Sequence, residues 1–238
     1  IISSLNIGGA ERFVIDLCGV QKKLDIKPAI ISLGNPEEPL VSECKANNTA
    51  VTSYGGSSLI KFFRVFLVLL KFDVVHIHSP HALKFLNLLL PLFNKKIIYT
   101  RHGAAPLIAK HWLDLHVKAN KYVDAITFVS QEGLDNFQAQ HHWYNIPSVV
   151  IDNGVIISSV AKKRSEKLRI GSVGRMIPLK HQISLLNAVL SLPVKSQNNI
   201  VLHFFGDGEC LSLLKDFHQN NIANVEVNFH GMMNDREL

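Results

Sequence analysis

The sequence predicts an α/β protein made of two successive units, each a parallel sheet covered by helices. Two observations carry this expectation. Short apolar, β-branched runs alternate with amphipathic stretches throughout the 238 residues, with short loops between them. Glycine-containing loops follow the first apolar run of each half: Gly8-Gly9-Ala10-Glu11-Arg12 after Ile1-Ile2, and Gly174-Arg175 after Leu168–Val173. Both place backbone N–H groups and positive charge where an anion fits, at the start of a helix.

Taken in order, Ile1–Leu5 reads as a strand and residues 10–23 as a helix, with Phe13, Val14, Leu17 and Val20 on one face. Strands are expected at Ala29–Leu33, Val51–Tyr54, Val74–His78, Ile97–Thr100, Ala125–Val129 and Val149–Ile151. Helices are expected at Leu40–Ala46, Leu59–Lys71, Ala82–Phe93, Ile108–Tyr122 and Gln131–Gln138. The Asn153-Gly154 pair marks a turn. Residues 158–167 are polar and unpatterned, which places a linker between a unit at 1–157 and a second at 168–238. The second unit runs strand 168–173, helix 180–191, strand 200–205, helix 210–219, strand 225–230. Asn234 with Glu237 reads as a helix start at the end of the chain, the signature of a truncated domain.

Composition narrows the function classes. The 47% hydrophobic content supports a packed core, and 18% charged residues is too few for a disordered chain. The net charge of +6 is shared by both halves and forms no basic, aromatic-interleaved stripe, so nucleic acid is not an expected partner. Attraction to an anionic substrate or lipid surface fits better. Cys18, Cys44 and Cys210 are far apart and odd in number, as in a reducing compartment, and no metal-binding spacing is present. The apolar run 59–70 is interrupted by Lys61 and Arg64 and is too short for a bilayer span; it reads either as a buried helix or as one lying on a membrane.

The candidate chemistry sits at predicted carboxyl ends of strands, where open α/β sheets bind ligands. These positions are Gly8-Gly9, His76 and His78-Ser79, Arg101-His102-Gly103, Arg175 with Lys180, and Gly206-Asp207-Gly208. Histidines suit sugar hydroxyls or proton transfer. Each has a plainer reading: tight turns for the glycines, satisfied structural histidines for His76 and His78, and a packing cluster for His141-His142-Trp143-Tyr144. Arg175 and Lys180 are the hardest to assign to structure alone. No H-E-x-x-H, G-x-S-x-G, Walker A or G-x-G-x-x-G pattern occurs.

In this order, the segments Gly8–Arg12, Asp73–Ser79, Arg101–Gly103, Val129-Ser130, Asn153–Val155, Gly174-Arg175 with Lys180, Gly206–Gly208 and Phe229–Gly231 resemble the retaining glycosyltransferases of family 4. The resemblance implies a GT-B fold of two Rossmann-type domains, the second incomplete. It also implies transfer of a sugar from a nucleotide-sugar donor to a glycan or lipid-linked acceptor. His102 would be the catalytic residue at the transferred sugar. Gly9, Arg175, Lys180, Gly206, Asp207 and Gly208 would bind the donor. No metal or other cofactor is implied, since the nucleotide-sugar is a substrate. Family members carry two glutamates eight positions apart beyond the Phe-x-Gly segment, and Leu238 precedes that region. The expected location is the cytoplasm, at the inner face of a membrane. An epimerase of the same architecture, or an inactive nucleotide- or partner-binding remnant, is the alternative.

Overall fold

A computed structural model of the chain describes residues 1–54, 56, 58–141, 143–155, 165–221 and 224–233. The chain divides into two compact units, 1–158 and 159–238. The helix start expected at 234–237 and most of the expected linker lie outside the described residues.

Unit 1 contains strands β1 (Ala29–Ser32), β2 (Ala50–Ser53), β3 (Val74–Ile77), β4 (Lys96–Arg101), β5 (Ala125–Phe128) and β6 (Ser148–Val150). Its helices are α1 (Gly9–Lys23), α2 (Pro39–Ala46), α3 (Ser58–Leu69), α4 (Pro80–Leu86), α5 (Lys110–Ala119) and α6 (Gln131–His141). The β1–β2 pair and the β3–β4–β5–β6 ladder are both parallel. The N-terminal residues join them. The Ile2 amide donates to the Ile31 carbonyl (3.0 Å), and Ile2 bridges Ser32 in parallel sense. On the other side the His78 amide donates to the Ile1 carbonyl (3.0 Å).

Counting Ile1-Ile2 as the first strand gives the spatial order of a doubly wound sheet, in which the chain winds outward in both directions from a central strand. The direction reverses between Ile1-Ile2 and β3. The expected strand 1–5 is therefore real at its first two residues only. From Leu5 the chain is already turning, with the Leu5 amide bonded to the Glu38 carboxylate and the Leu5 carbonyl accepting from Leu40 (3.1 Å).

Alternation along the strands sends side chains to two cores. Ile2, Ile30, Val14, Ile15, Cys18, Leu40 and Cys44 pack together beneath α1 and α2. Ile1, Ile31, Val75, Ile77, Ile97, Tyr99, Ile126 and Phe128 pack with α3 to α6 on the opposite face, together with Trp143, which is fully buried. The helix expected over 82–93 stops at Leu86, and a 3₁₀ turn at Leu90–Leu92 follows around Pro91, which has no N–H to continue an α-helix.

Unit 2 is a three-stranded parallel sheet of β7 (Leu168–Val173), β8 (Ile200–Phe205) and β9 (Glu226–Gly231). Helices α7 (Ile183–Leu190) and α9 (Leu211–Asn221) cover the face bearing Ile170, Leu202, Phe204, Val227 and Phe229. A short helix, α8 (Val194–Gln197), was not expected from sequence. Both units are thus α/β with parallel sheets.

Candidate functional site

In unit 1 the crevice at the reversal point is bordered by the Leu5–Gly8 turn and by the loop after β3. The helix that opens at Gly9 has no side-chain cap: Gly8 precedes it in extended conformation and offers no hydrogen bond. The Glu11 carboxylate of the first turn stands against Gly8. Nothing among the described residues demands glycine at position 9. A Cβ built there meets no atom within 4 Å, and its φ is not positive.

The histidines converge beside this helix end. His76 on β3 and His78 just past it, with Thr100 on β4 and His102 just past it, share one sheet face because side chains alternate along both strands. His78 Nδ1 lies 3.1 Å from His102 Nε2, and the rings of His76 and His78 are 3.9 Å apart. His76 Nε2 is 2.6 Å from Thr100 Oγ1, which is in turn 2.6 Å from Thr127 Oγ1 on β5. Phe13 of α1 meets the His102 ring edge-on at 5.3 Å.

Burial dominates the electrostatics of this cluster. It pushes His76 and His102 down to about 4, with neighbouring positive charge adding to the effect, and holds His78 well below the ordinary imidazole range. All three are neutral near pH 7. Near neutrality His102 is thus an uncharged ring that carries no spare proton.

Arg101 turns the opposite way, as adjacent residues on a strand must. It is 8% exposed, and its guanidinium donates to the carbonyls of Gly103 (3.4 Å) and Ala105 (3.1 Å). Asn136 holds the Ala104 carbonyl and Gln140 accepts from the Leu107 amide, so α6 and Arg101 together fix the loop after His102. Sequence reasoning passed over Thr100, Thr127, Phe13, Asn136 and Gln140. The polar residues at alternate positions of three successive strands were the available signal.

In unit 2 the two loops at the carboxyl ends of β7 and β8 are laced together. The Met176 amide donates to the Asp207 carbonyl, and the Cys210 amide to the Met176 carbonyl (both 2.9 Å). Gly206 and Gly208 have φ of +129° and +154°, and a Cβ at either would stand 2.1 Å from the Gly174 carbonyl oxygen or 2.4 Å from that of Met176. These two glycines thus have a structural reason of their own. The Asp207 carboxylate accepts from the Gly208 amide (2.7 Å).

Arg175 and Lys180 are both exposed, on the loop that follows β7, and neither forms an ion pair or side-chain hydrogen bond with a described residue. The loop is held from behind, where Gln182 donates to the Arg175 carbonyl (3.0 Å). Two cations with no counter-charge among the described residues thus flank one strand-to-helix loop.

A cavity of about 480 Å³ lies elsewhere, between α1 and the amino ends of β1 and β3. Its walls include Val14, Cys18, Ile30 and Val75, and it reaches His76 and His78 from below. The polar convergence is at the carboxyl ends, so the candidate site is placed there. Among the described residues no group of three or more His, Cys, Asp or Glu is arranged to hold a metal, and no helix is long and apolar enough to cross a membrane.

The doubly wound sheet, with polar side chains gathered at its reversal point, defines an α/β unit of the Rossmann class. Comparison with known proteins makes this specific. The sequence model of Glycosyltransferase Family 4 matches residues 7–159, and the chain belongs to that family. A phosphatidyl-myo-inositol mannosyltransferase of Propionibacterium freudenreichii is 25% identical over 231 residues, 87% of this chain. The chain spans 60% of the length of that relative. Among solved structures, HepE of Anabaena in complex with UDP-glucose matches with a TM-score of 0.81 at 17% identity, over 98% of this chain and 68% of the other. The lipopolysaccharide outer core galactosyltransferase WaaB matches with a TM-score of 0.62 at 14% identity, over 99% and 68%.

Proposed function

We propose that this chain acts in glycosyl transfer, moving a sugar from a nucleotide-sugar to a glycan or lipid-linked acceptor with retention at the anomeric carbon. The observation that carries the reading is the family match over 7–159, which spans the Gly8-Gly9 turn and the His78–His102 pair. It favours transfer over the epimerase of similar architecture. The UDP-glucose held by HepE supports a nucleotide-sugar donor, and the mannosyltransferase relative supports a lipid-linked acceptor.

Departure of a nucleoside diphosphate builds negative charge on the leaving oxygens. In this reading Arg175 and Lys180 neutralise it, and with no ion pair to a described residue their charge is left for the ligand. Gly206, Asp207 and Gly208 line the nucleotide side. The amides opened by Gly9 meet phosphate or acceptor from unit 1. Neutral His102 orients a hydroxyl of the transferred sugar. No step in this reading draws on a metal or other cofactor.

The acceptor side includes a membrane contact. Leu59, Ile60, Phe63, Leu67 and Leu70 form one exposed apolar stripe on and just past α3, with Arg64 and Lys71 exposed beside it. The opposite face is anchored: Val65 and Leu69 are buried, while Phe62 and Phe66 pack against Phe85 and Phe93. In this reading the protein works in the cytoplasm, at the inner face of a membrane. The test of the function is transfer of label from UDP-glucose and related donors to lipid-linked acceptors. Donor turnover without acceptor would favour the epimerase, and neither transfer nor turnover would favour a binding remnant.

A further inference from the structure

We propose that His78 is a positioning residue for His102: its Nδ1 accepts the Nε2 proton of His102 and so fixes the tautomer in which His102 Nδ1 is a bare acceptor. The functional consequence rests on the reading of His102 as the sugar-contacting group, but the tautomer can be measured without any turnover.

The geometry permits two arrangements and favours one. At 3.1 Å two imidazoles share a single proton, so either ring donates. If His78 donated from Nδ1, His102 would carry its own proton on Nδ1. That atom is shielded from solvent and has no hydrogen-bond partner among the described residues. A buried N–H without an acceptor is rarer and costlier than a buried lone pair without a donor. The proton therefore belongs on His102 Nε2, and the unused Nδ1 is an acceptor.

The surroundings make His78 a fixed reference. It is 5% exposed at the end of β3, and its amide is bonded to the Ile1 carbonyl. One side of its ring lies against His76, which is itself tied to Thr100 and through it to Thr127. Phe13 closes on both His78 (6.4 Å) and His102 (5.3 Å), which restrains the His102 ring from turning its other edge toward His78. Burial keeps all three imidazoles uncharged near neutrality, so the shared proton is the one that decides the tautomers. Both ring nitrogens of His102 are then accounted for, Nε2 by His78 and Nδ1 by enclosure, so the pair acts by holding the His102 ring and the loop after it in place.

The experiment is long-range ¹H–¹⁵N correlation of the histidine side chains in the full chain at pH 7.5, with His102 assigned by its loss in His102→Asn. The expected result is a protonated Nε2 and an unprotonated Nδ1. In His78→Asn the carboxamide oxygen lies as many bonds from the backbone as Nδ1 did, so the same tautomer persists. In His78→Phe both His102 nitrogens shift to intermediate values as the forms exchange. His78→Gln moves the carbonyl one carbon outward and gives the same mixing, and it serves if the Phe variant does not fold.

Where transfer is measurable, His78→Phe or His78→Gln lowers kcat by about tenfold to a hundredfold with little change in donor KM, and His78→Asn restores most of it. A wild-type His102 protonated on Nδ1, or an Nε2–H form that persists in both Phe and Gln variants, overturns the assignment. Absence of transfer in wild type would count against the proposed function and leave the tautomer result standing.

Discussion

Gly9→Ala separates a glycine kept for a ligand from one kept for the fold. The added Cβ meets nothing within 4 Å, the φ is ordinary for an L-residue, and the position is the first of a 15-residue helix. Alanine is preferred to glycine in a helix interior by about 0.5–1 kcal/mol, and less at the first position. The melting temperature should therefore stay level or rise slightly. A phosphate or sugar oxygen bonded to the amides of this turn would be displaced by the methyl group. Loss of one charge-assisted hydrogen bond costs about 1.5–3 kcal/mol, or roughly tenfold to a hundredfold in affinity. Thermal melting with steady-state kinetics for donor and acceptor makes the test. Parent-like KM and kcat for both substrates would refute a ligand role for this turn, and a lower melting temperature would refute the structural half of the reasoning.

Gly206→Ala should behave oppositely: strain at a φ of +129° and the overlap with the Gly174 carbonyl should destabilise the protein by about 3 kcal/mol or more, read as an early unfolding transition. His102→Ala should cut turnover by about 10²-fold while diphosphate binding barely changes; near-normal turnover would make His102 a structural histidine. Folding should weaken under acid, because His76 and His102 sit near 4 and His116 near 3, all depressed mainly by burial, so the unfolded chain binds protons first. Stability is complete above about pH 6.5 and is lost progressively as pH falls toward 4; a melting temperature flat from pH 7.5 to 5 would contradict this. Phe63→Glu with Leu67→Glu should abolish sedimentation with anionic vesicles, and wild-type binding that ignores lipid charge would remove Arg64 and Lys71 from the account.

The sequence was most legible where one local rule decides the outcome. The apolar spacing of Phe13, Val14 and Leu17 gave α1 to within a residue, and the run 200–205 gave β8 at its bounds. It was least legible where distant partners decide. Residues 3–5 look like a strand, but Glu38 and Leu40 draw Leu5 into a turn. The Lys180–Ser191 helix is split because His181 adopts a left-handed conformation after a 3₁₀ turn. His76, His78 and His102 were visible as candidates, yet their meeting depends on the β3–β4 register, which pairs positions 22 apart. Arg175 and Lys180 were legible as charges; that no described protein group neutralises them is visible only in the structure.

Unit 2 is expected to bind the diphosphate of the donor through Arg175 and Lys180. Isothermal titration of UDP, GDP and ADP into the full chain and into Arg175→Ala and Lys180→Ala reads this contact. At least one of the three nucleotides should bind the parent chain, with each variant weaker by about 1.5–3 kcal/mol, the cost of a lost charge-assisted hydrogen bond. Binding of equal strength in the parent and both variants, or no binding of any nucleoside diphosphate, would contradict it.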